Sequence, residues 1–242
     1  MKKVIIVGAT SGIGRNLAKI MVAKGYKVGV TGRRLNLLEE IKSQNPSQIC
    51  CKSFDIKNTS TLHQHLTELV SELGGLDILV FSSGTGDLNE TLDFELEKNC
   101  IDTNVLGFTA IADWAYSFFQ EQKSGHFVAI SSIGGIRGNR MAPAYSASKA
   151  YQINYLEGLR IKTSKSKSTS TSPIIITDIR PGFIDTNMAK GDGLFWVVPV
   201  EKAAKQIFYA IKQKKKIAYI SKRWTLIAAL FKILPNKLME KL

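Results

Sequence analysis

The sequence has 242 residues, of which 44% are hydrophobic and 22% charged, and this balance suits a soluble globular protein with one large core. No apolar run reaches the roughly 18 to 20 residues of a membrane span, and the three cysteines show neither zinc spacing nor a paired framework, so we expect a cytoplasmic location and no metal site. The formal net charge of +13 would suit nucleic acid, anionic lipid or a phosphorylated ligand, but no nucleic-acid-binding motif accompanies it, so we expect no nucleic-acid partner.

Short β-rich runs alternate with amphipathic helical segments along the chain. The runs lie at residues 2–9, 27–32, 49–56, 76–83, 126–132, 174–179 and 216–221. Apolar strands that alternate with helices predict a parallel sheet covered on both faces. We therefore predict a single α/β domain over residues 1–242, with a Rossmann-type, doubly wound, seven-stranded parallel sheet. Ligands of such a sheet bind beyond the carboxyl ends of its strands.

The first predicted strand leads directly into the stretch GATSGIG, which opens a helix. It carries three glycines, Gly8, Gly12 and Gly14. Glycines allow a tight turn and a close approach of the backbone to a pyrophosphate, and the N-terminus of the helix favours its negative charge. The sequence therefore predicts a dinucleotide-binding turn.

Two arginines, Arg33 and Arg34, follow the second predicted strand. A chain that binds NAD usually has an acidic residue there, which holds the ribose hydroxyls. A guanidinium group instead suits the 2′-phosphate of NADP. We therefore expect NADP(H) as the cofactor, and the alternative is a pair of surface arginines that open a helix.

The stretch AYSASKA, residues 144–150, places Tyr145 four positions before Lys149. On a helix the phenol and the ammonium would lie on one face. An ammonium beside a phenol lowers the pKa of the phenol from about 10, which would make it a usable proton donor near neutral pH. The spacing alone also allows an ordinary exposed pair.

In their order and spacing, these motifs resemble the classical short-chain dehydrogenase/reductase family over almost the whole chain. GATSGIG resembles the family's glycine motif, and LDILVFSSG its fourth strand. IDTN and AISSIGG match the segments that supply a catalytic asparagine and a catalytic serine, and RPGFIDT matches the Pro-Gly segment that lines the nicotinamide. The resemblance implies four catalytic residues, Asn104, Ser132, Tyr145 and Lys149. It implies cofactor contacts from Gly8, Ser11, Gly12, Ile13, Gly14, Arg33, Arg34, Asp55, Ile56, Ser82, Gly84, Tyr145, Lys149, Pro181, Gly182 and Thr186.

By this resemblance, Tyr145 donates a proton to a carbonyl oxygen as hydride arrives at the carbon, or accepts it in reverse. Ser132 hydrogen-bonds the same oxygen. Lys149 holds the nicotinamide ribose, and Asn104 anchors a water that passes protons to Lys149. The expected protein is an NADP(H)-dependent oxidoreductase that interconverts a carbonyl and a secondary alcohol, as a homodimer or tetramer. The alternative is a non-catalytic sensor or scaffold that binds NADP(H).

Residues 187–199 follow the Pro-Gly segment, where the family carries its substrate lid. Met188, Leu194, Phe195 and Trp196 would give this lid an apolar inner surface. A hydrophobic substrate is therefore expected. The alternative is that these side chains pack on the domain or at a subunit contact.

Residues 221–242 form an apolar and basic tail. One helical stripe contains Trp224, Ile227, Ala228, Phe231 and Leu234, and it is widened by Leu226, Leu230 and Ile233. Such a helix suits a membrane interface, where this stripe would meet lipid and the lysines would meet anionic headgroups. A helix docked at an oligomer contact, over the substrate cleft or on the protein's own core is equally compatible with the pattern.

Overall fold

The computed structural model describes residues 1–165, 173–188 and 195–239. Within these residues, seven parallel strands form one sheet in the order β3-β2-β1-β4-β5-β6-β7, which confirms the predicted doubly wound sheet. The strands are β1 Lys3–Val7, β2 Lys27–Gly32, β3 Ile49–Ser53, β4 Ile78–Phe81, β5 Gly125–Ile130, β6 Ile174–Pro181 and β7 Ile217–Ile220. The strand order reverses between β1 and β4, so their carboxyl ends form the topological switch point where ligands of such folds bind.

Helices cover both faces of the sheet. They are α1 Gly12–Ala23, α2 Leu35–Gln44, α3 Thr59–Leu73, α4 Phe94–Ile101, α5 Phe108–Gln122, α6 Pro143–Lys165, α7 Val200–Lys212, α8 Arg223–Ile233 and α9 Asn236–Met239. A π-helical turn, Asp102–Gly107, joins α4 to α5, and a 3₁₀ turn, Ile133–Gly135, follows β5. None of the helices within the described ranges is long and apolar enough to cross a bilayer.

The central strand β1 divides the core into two layers. Val4 and Ile6 point to the layer of α1, α2 and α7, whereas Ile5 and Val7 point to the layer of α3, α5 and α6. All four side chains are fully buried. Because successive side chains of a strand face opposite sides, a strand covered on both faces is a continuous apolar run. This explains why the strands could be recognised from sequence.

Several predicted runs extend past the strands at their carboxyl ends. The run 76–83 ends as a strand at Phe81, and the run 49–56 ends as a strand at Ser53. The residues beyond these points leave the sheet and form loops at its carboxyl edge. These loops carry the candidate cofactor residues Asp55, Ser82 and Gly84.

Candidate active site

The turn after β1 provides an open helix N-terminus. Gly8 has φ +89, and a Cβ built on it would lie 2.6 Å from the Ser83 hydroxyl oxygen, so the turn requires glycine. Ser11 is the N-cap of α1 but makes no capping hydrogen bond with its side chain, and the first turn, with Gly12, Ile13 and Gly14, contains no acidic residue. The positive end of the helix dipole therefore faces this edge without a carboxylate, an arrangement that suits a phosphorylated ligand.

The two arginines after β2 lie in different environments. Arg34 donates hydrogen bonds through Nη2 to Thr10 Oγ1 at 2.6 Å and to Ser11 Oγ at 3.0 Å. Its guanidinium group therefore lies at the start of α1. Arg33 is 71% exposed, and its Nη1 lies 3.9 Å from Asp55 Oδ2. Both can supply positive charge to a ligand at this edge, but only Arg34 is held in place by several hydrogen bonds.

The remaining residues of the nucleotide side lie in the loops after β3 and β4. Ile56 is buried, whereas Asp55 is partly exposed and accepts a hydrogen bond from Lys57 N at 3.0 Å. Ser82 continues the line of β4 and donates its backbone N–H to Val7 O at 2.8 Å. Gly84 lies between Asn104 and Lys149, since a Cβ on it would be 3.4 Å from Asn104 Oδ1 and 3.5 Å from Lys149 Nζ. The loop after β4 thus connects the glycine turn to the candidate catalytic residues.

Asn104 is fully buried in the π-helical turn between α4 and α5. Its side chain accepts from Thr85 N at 2.9 Å and donates to Thr85 O at 2.7 Å and to Ser148 Oγ at 3.0 Å. These bonds tie the loop after β4 to α6. A π-helical turn inside a longer helix commonly marks a functional position, and here it turns the Asn104 side chain toward both elements.

Lys149 is buried, and its ammonium donates to Ile130 O at 3.2 Å and to Gln152 Oε1 at 3.0 Å. Burial lowers the pKa of Lys149 to about 8, with Cys100 and Asp178 acting in the opposite direction. Gln152 is fully buried and donates through Nε2 to Asn104 O at 2.8 Å. A side-chain amide therefore makes the link between Asn104 and Lys149 that the resemblance assigns to a water. Gln152 was not predicted from the sequence, although its position one helical turn after Lys149 is a usable signal.

Tyr145 lies beside Ser132 and Lys149, as predicted. The Lys149 ammonium is 5.9 Å from the centroid of the Tyr145 ring. Burial raises the pKa of Tyr145 above its ordinary value, while a hydrogen bond with the Ser132 side chain acts in the opposite direction. Burial of the phenol is therefore the larger effect in the protein alone, and the lowering of this pKa by the Lys149 ammonium stays a prediction.

A buried ion pair supports the strands beneath this cluster. Arg180 donates through Nε to Asp178 Oδ2 at 2.7 Å, and the Ser131 hydroxyl donates to the other carboxylate oxygen. Ser131 precedes Ser132, so this network fixes the end of β5 against β6. The sequence analysis did not identify it, although Asp178 and Arg180 lie two apart and therefore face the same side of a strand.

The Pro-Gly segment connects the site to the tail. Pro181 ends β6, and Gly182 packs so closely on Trp224 that a Cβ there would lie 2.0 Å from the indole Cε2. Thr186 reaches the glycine turn, since its Cγ2 would lie 3.4 Å from a Cβ on Gly12. The segment thus spans the distance between the glycine turn and the tail helix α8.

Part of the expected lid, 189–194 with Leu194, lies outside the described residues. Phe195 and Trp196 pack on Trp224 of the tail, with ring centroids 5.2 Å and 6.0 Å apart. The five residues at the centre of the predicted tail stripe are buried or partly buried against the domain, with Trp224 only 3% exposed. These five residues therefore cover the protein's own core, one of the arrangements that the sequence left open.

Within the described residues, no group of three or more His, Cys, Asp or Glu side chains is placed to hold a metal ion. The basic groups at the carboxyl edge of the sheet are the guanidinium groups of Arg33 and Arg34 and the Lys149 ammonium. Their chemistry suits a phosphorylated organic ligand rather than a cation.

A doubly wound sheet with a glycine turn and a Ser-Tyr-Lys cluster at its carboxyl edge defines a Rossmann-fold oxidoreductase. Residues 2–193 match the family described as short chain dehydrogenase. The chain belongs to this family.

Full-length similarity extends to an uncharacterized oxidoreductase of Mycobacterium tuberculosis, which is 28% identical over 99% of this chain and 96% of its own. The closed form of a serine dehydrogenase complexed with NADP+ shares the fold with a TM-score of 0.80 at 23% identity, over 90% of this chain and 94% of its own. ElxO with NADP bound also shares the fold, with a TM-score of 0.77 at 23% identity, over 90% of this chain and 96% of its own.

Proposed function

We propose that this protein is an NADP(H)-dependent oxidoreductase that interconverts a carbonyl and a secondary alcohol on a hydrophobic substrate. The observation that carries the proposal is the cluster in which the Tyr145 ring lies beside Ser132 and 5.9 Å from the Lys149 ammonium, at the edge that also carries the glycine turn. We further propose that it works in the cytoplasm as a homodimer or tetramer through the helices that follow β4 and β5, where Ile101 and Tyr151 are exposed.

The nucleotide side of the site supports a nicotinamide cofactor with a 2′-phosphate. Arg34 and Arg33 would hold that phosphate, and the start of α1 would hold the pyrophosphate. Asp55 and Ile56 would contact the adenine side, and Thr186 and Lys149 the nicotinamide side. The bound NADP in the two structural neighbours supports the same choice. When bound, the nicotinamide supplies or accepts the hydride.

The protein's own residues would manage the proton. Because its pKa is raised, Tyr145 carries its proton at neutral pH and can donate it to a carbonyl oxygen. The Ser132 hydroxyl would donate a hydrogen bond to the same oxygen, where negative charge develops. The reverse reaction needs the phenolate, which the positive charge of Lys149 favours.

Gln152 and Asn104 would act as positioning residues for Lys149. The Gln152 amide bonds both the Lys149 ammonium and the Asn104 carbonyl, and the Asn104 side chain ties α6 to the loop after β4. The ammonium is therefore held at a fixed height above the sheet. The link between Asn104 and Lys149 would thus be an amide, which can fix the ammonium in position but exchanges protons poorly.

The apolar cluster of Phe195, Trp196 and Trp224 beside Gly182 supports a hydrophobic substrate. Residues 187–199 would then act as the lid, and the tail 221–242 would support it from below through Trp224. An apolar surface next to the hydride-transfer position favours extended or aromatic carbonyl compounds over small sugars, because it offers few hydrogen-bonding groups to hydroxyls.

The test is a steady-state assay of the full chain with NADPH or NADH and a panel of carbonyl compounds of increasing apolar surface. We expect carbonyl-dependent oxidation of NADPH that rises with apolar surface and is slower with NADH. Tight NADPH binding without turnover of any compound would contradict the proposal that the protein is an enzyme. It would favour a non-catalytic sensor or scaffold that binds NADP(H). Equal rates with NADH would contradict the cofactor assignment alone.

A further inference from the structure

The tail helix α8 is apolar on two opposite sides. One side, with Trp224 and Ala228, packs on Ile133 and is almost fully buried. The other side presents Leu226, Leu230 and Ile233, whose exposed fractions are 73%, 45% and 77%. A helix that is apolar all round is normally buried all round. The domain covers only one side of α8, so the second side, which we call the outer stripe (Leu226, Leu230 and Ile233), lacks a cover within the described residues.

The outer stripe is held rigidly. Arg137, in the loop after the 3₁₀ turn, donates to Phe231 O at 2.6 Å and to Asn236 Oδ1 at 3.3 Å, and also to Leu234 O. At the other end of α8, Trp224 packs on Gly182. Because both ends of the helix are fixed to the domain, the outer stripe is a constant feature of the surface.

A second apolar element lies beside the start of α8. Trp196 and Val197 are about half exposed, and the guanidinium carbon of Arg223 lies 6.0 Å from the Trp196 ring. An aromatic side chain with a basic partner, next to an exposed aliphatic stripe, is the composition of a membrane-interface surface. The outer stripe and Trp196 thus form one candidate docking surface.

The charged residues around this surface indicate which partner it binds. Between Glu201 and Glu240 the chain has ten lysines and arginines and no acidic residue. Four of them flank the outer stripe and are exposed: Lys222, Arg223, Lys232 and Lys237. A second copy of this chain would bring the same positive charge against them, whereas anionic headgroups complement it.

We propose that the outer stripe and Trp196 dock the protein on an anionic lipid bilayer. The helix α8 spans only 11 residues, so it would lie in the interface plane and not cross the membrane. The docked face would bring Gly182 and the candidate active site close to the headgroup region. The proposal concerns where the protein binds and does not depend on its activity.

The test is co-sedimentation of the full chain with vesicles of phosphatidylcholine, with and without phosphatidylglycerol. We expect binding to the anionic vesicles that weakens at high salt. The variant Leu226→Ser/Ile233→Ser leaves the charge unchanged and removes apolar surface, so it should weaken binding by about tenfold or more. The matched control Leu92→Ser/Ile161→Ser changes the same residue types at similarly exposed positions and should bind like the wild type.

A second measurement starts from the unaltered chain, so its first result does not rely on the fold of a variant. Vesicles with brominated acyl chains should quench tryptophan fluorescence, and Trp196→Phe should remove most of the quenching because Trp114 and Trp224 are buried. The proposal is overturned if the wild type ignores anionic vesicles or if the outer-stripe variant binds as well as the control. It is also overturned if the outer-stripe variant instead loses self-association, because a second copy would then cover the stripe.

Discussion

The Lys149 ammonium donates a hydrogen bond to Gln152 Oε1 across 3.0 Å, inside the core and one helical turn away along α6. The same amide donates to Asn104 O at 2.8 Å. Burial lowers the pKa of Lys149 to about 8, which puts its loss of charge within a range that experiments can reach. The charge of the site is therefore pH-dependent.

Affinity for NADPH should follow this titration. If the charged form of Lys149 holds the cofactor, binding is strongest below the Lys149 pKa of about 8 and weakens by up to about tenfold per pH unit above it. Fluorescence titration of NADPH from neutral to alkaline pH measures this directly. Lys149→Met should bind weakly with little dependence on pH in this range, and a wild-type affinity that stays constant would contradict the assignment.

Gln152→Glu should move that titration upward. A carboxylate beside the ammonium favours its charged form, so the midpoint should rise by about one pH unit or more. Gln152→Leu keeps the volume but removes both hydrogen bonds, so it should lower turnover without the upward shift. If Gln152 served only to fill the core, both variants would change thermal stability and leave the midpoint in place.

Comparing the affinities for NADPH and NADH tests whether Arg33 and Arg34 bind the 2′-phosphate. Arg34→Ala and Arg33→Ala should each lower the affinity for NADPH and leave the affinity for NADH nearly unchanged, because NADH lacks the 2′-phosphate. The loss of a charge-assisted hydrogen bond costs about 1.5 to 3 kcal/mol, or roughly tenfold to a hundredfold in affinity. Lys24→Ala, at the far end of α1, is the control. Equal losses for both cofactors would mean that the arginine has a structural role.

His126 should make the fold sensitive to acid. Its Nε2 lies 2.7 Å from Thr177 Oγ1, and burial lowers the pKa of His126 to about 4. A folded-state pKa below the unfolded value of about 6.5 contributes stability that is present above pH 6.5 and is lost as pH falls toward 4, on the order of 3 kcal/mol. Urea unfolding at several pH values should therefore show a shallower acid slope for His126→Gln. Equal slopes would contradict the buried neutral histidine.

Much of the fold could be predicted from the sequence because its strands are covered on both faces. The runs around Val4–Val7 and Leu79–Phe81 are apolar at every position, which is a strong signal for parallel strands. The grouping of Ser132, Tyr145 and Lys149 was implied by the resemblance of their motifs to the short-chain dehydrogenase family, and the carboxyl ends of parallel strands and the following helices do meet at one edge.

Other features depend on contacts that spacing does not encode. The helix α8 is apolar on both sides, so the pattern could not indicate that Trp224 faces the domain while Leu226 and Ile233 face outward. The direction in which the Tyr145 pKa shifts depends on burial. The hydrogen bond from Gln152 to Asn104 O joins residues 48 positions apart in the chain. These features required the structure.

The replacement Tyr145→Phe tests the central claim most directly, because it keeps the ring in its packing and removes only the hydroxyl. The measurement is turnover with NADPH and the best carbonyl substrate, together with NADPH affinity of the same preparation. We predict that affinity is retained and that turnover falls by about 10² to 10⁴, the usual contribution of a positioned proton donor. Turnover equal to that of the wild type would contradict the role of Tyr145 as the proton donor.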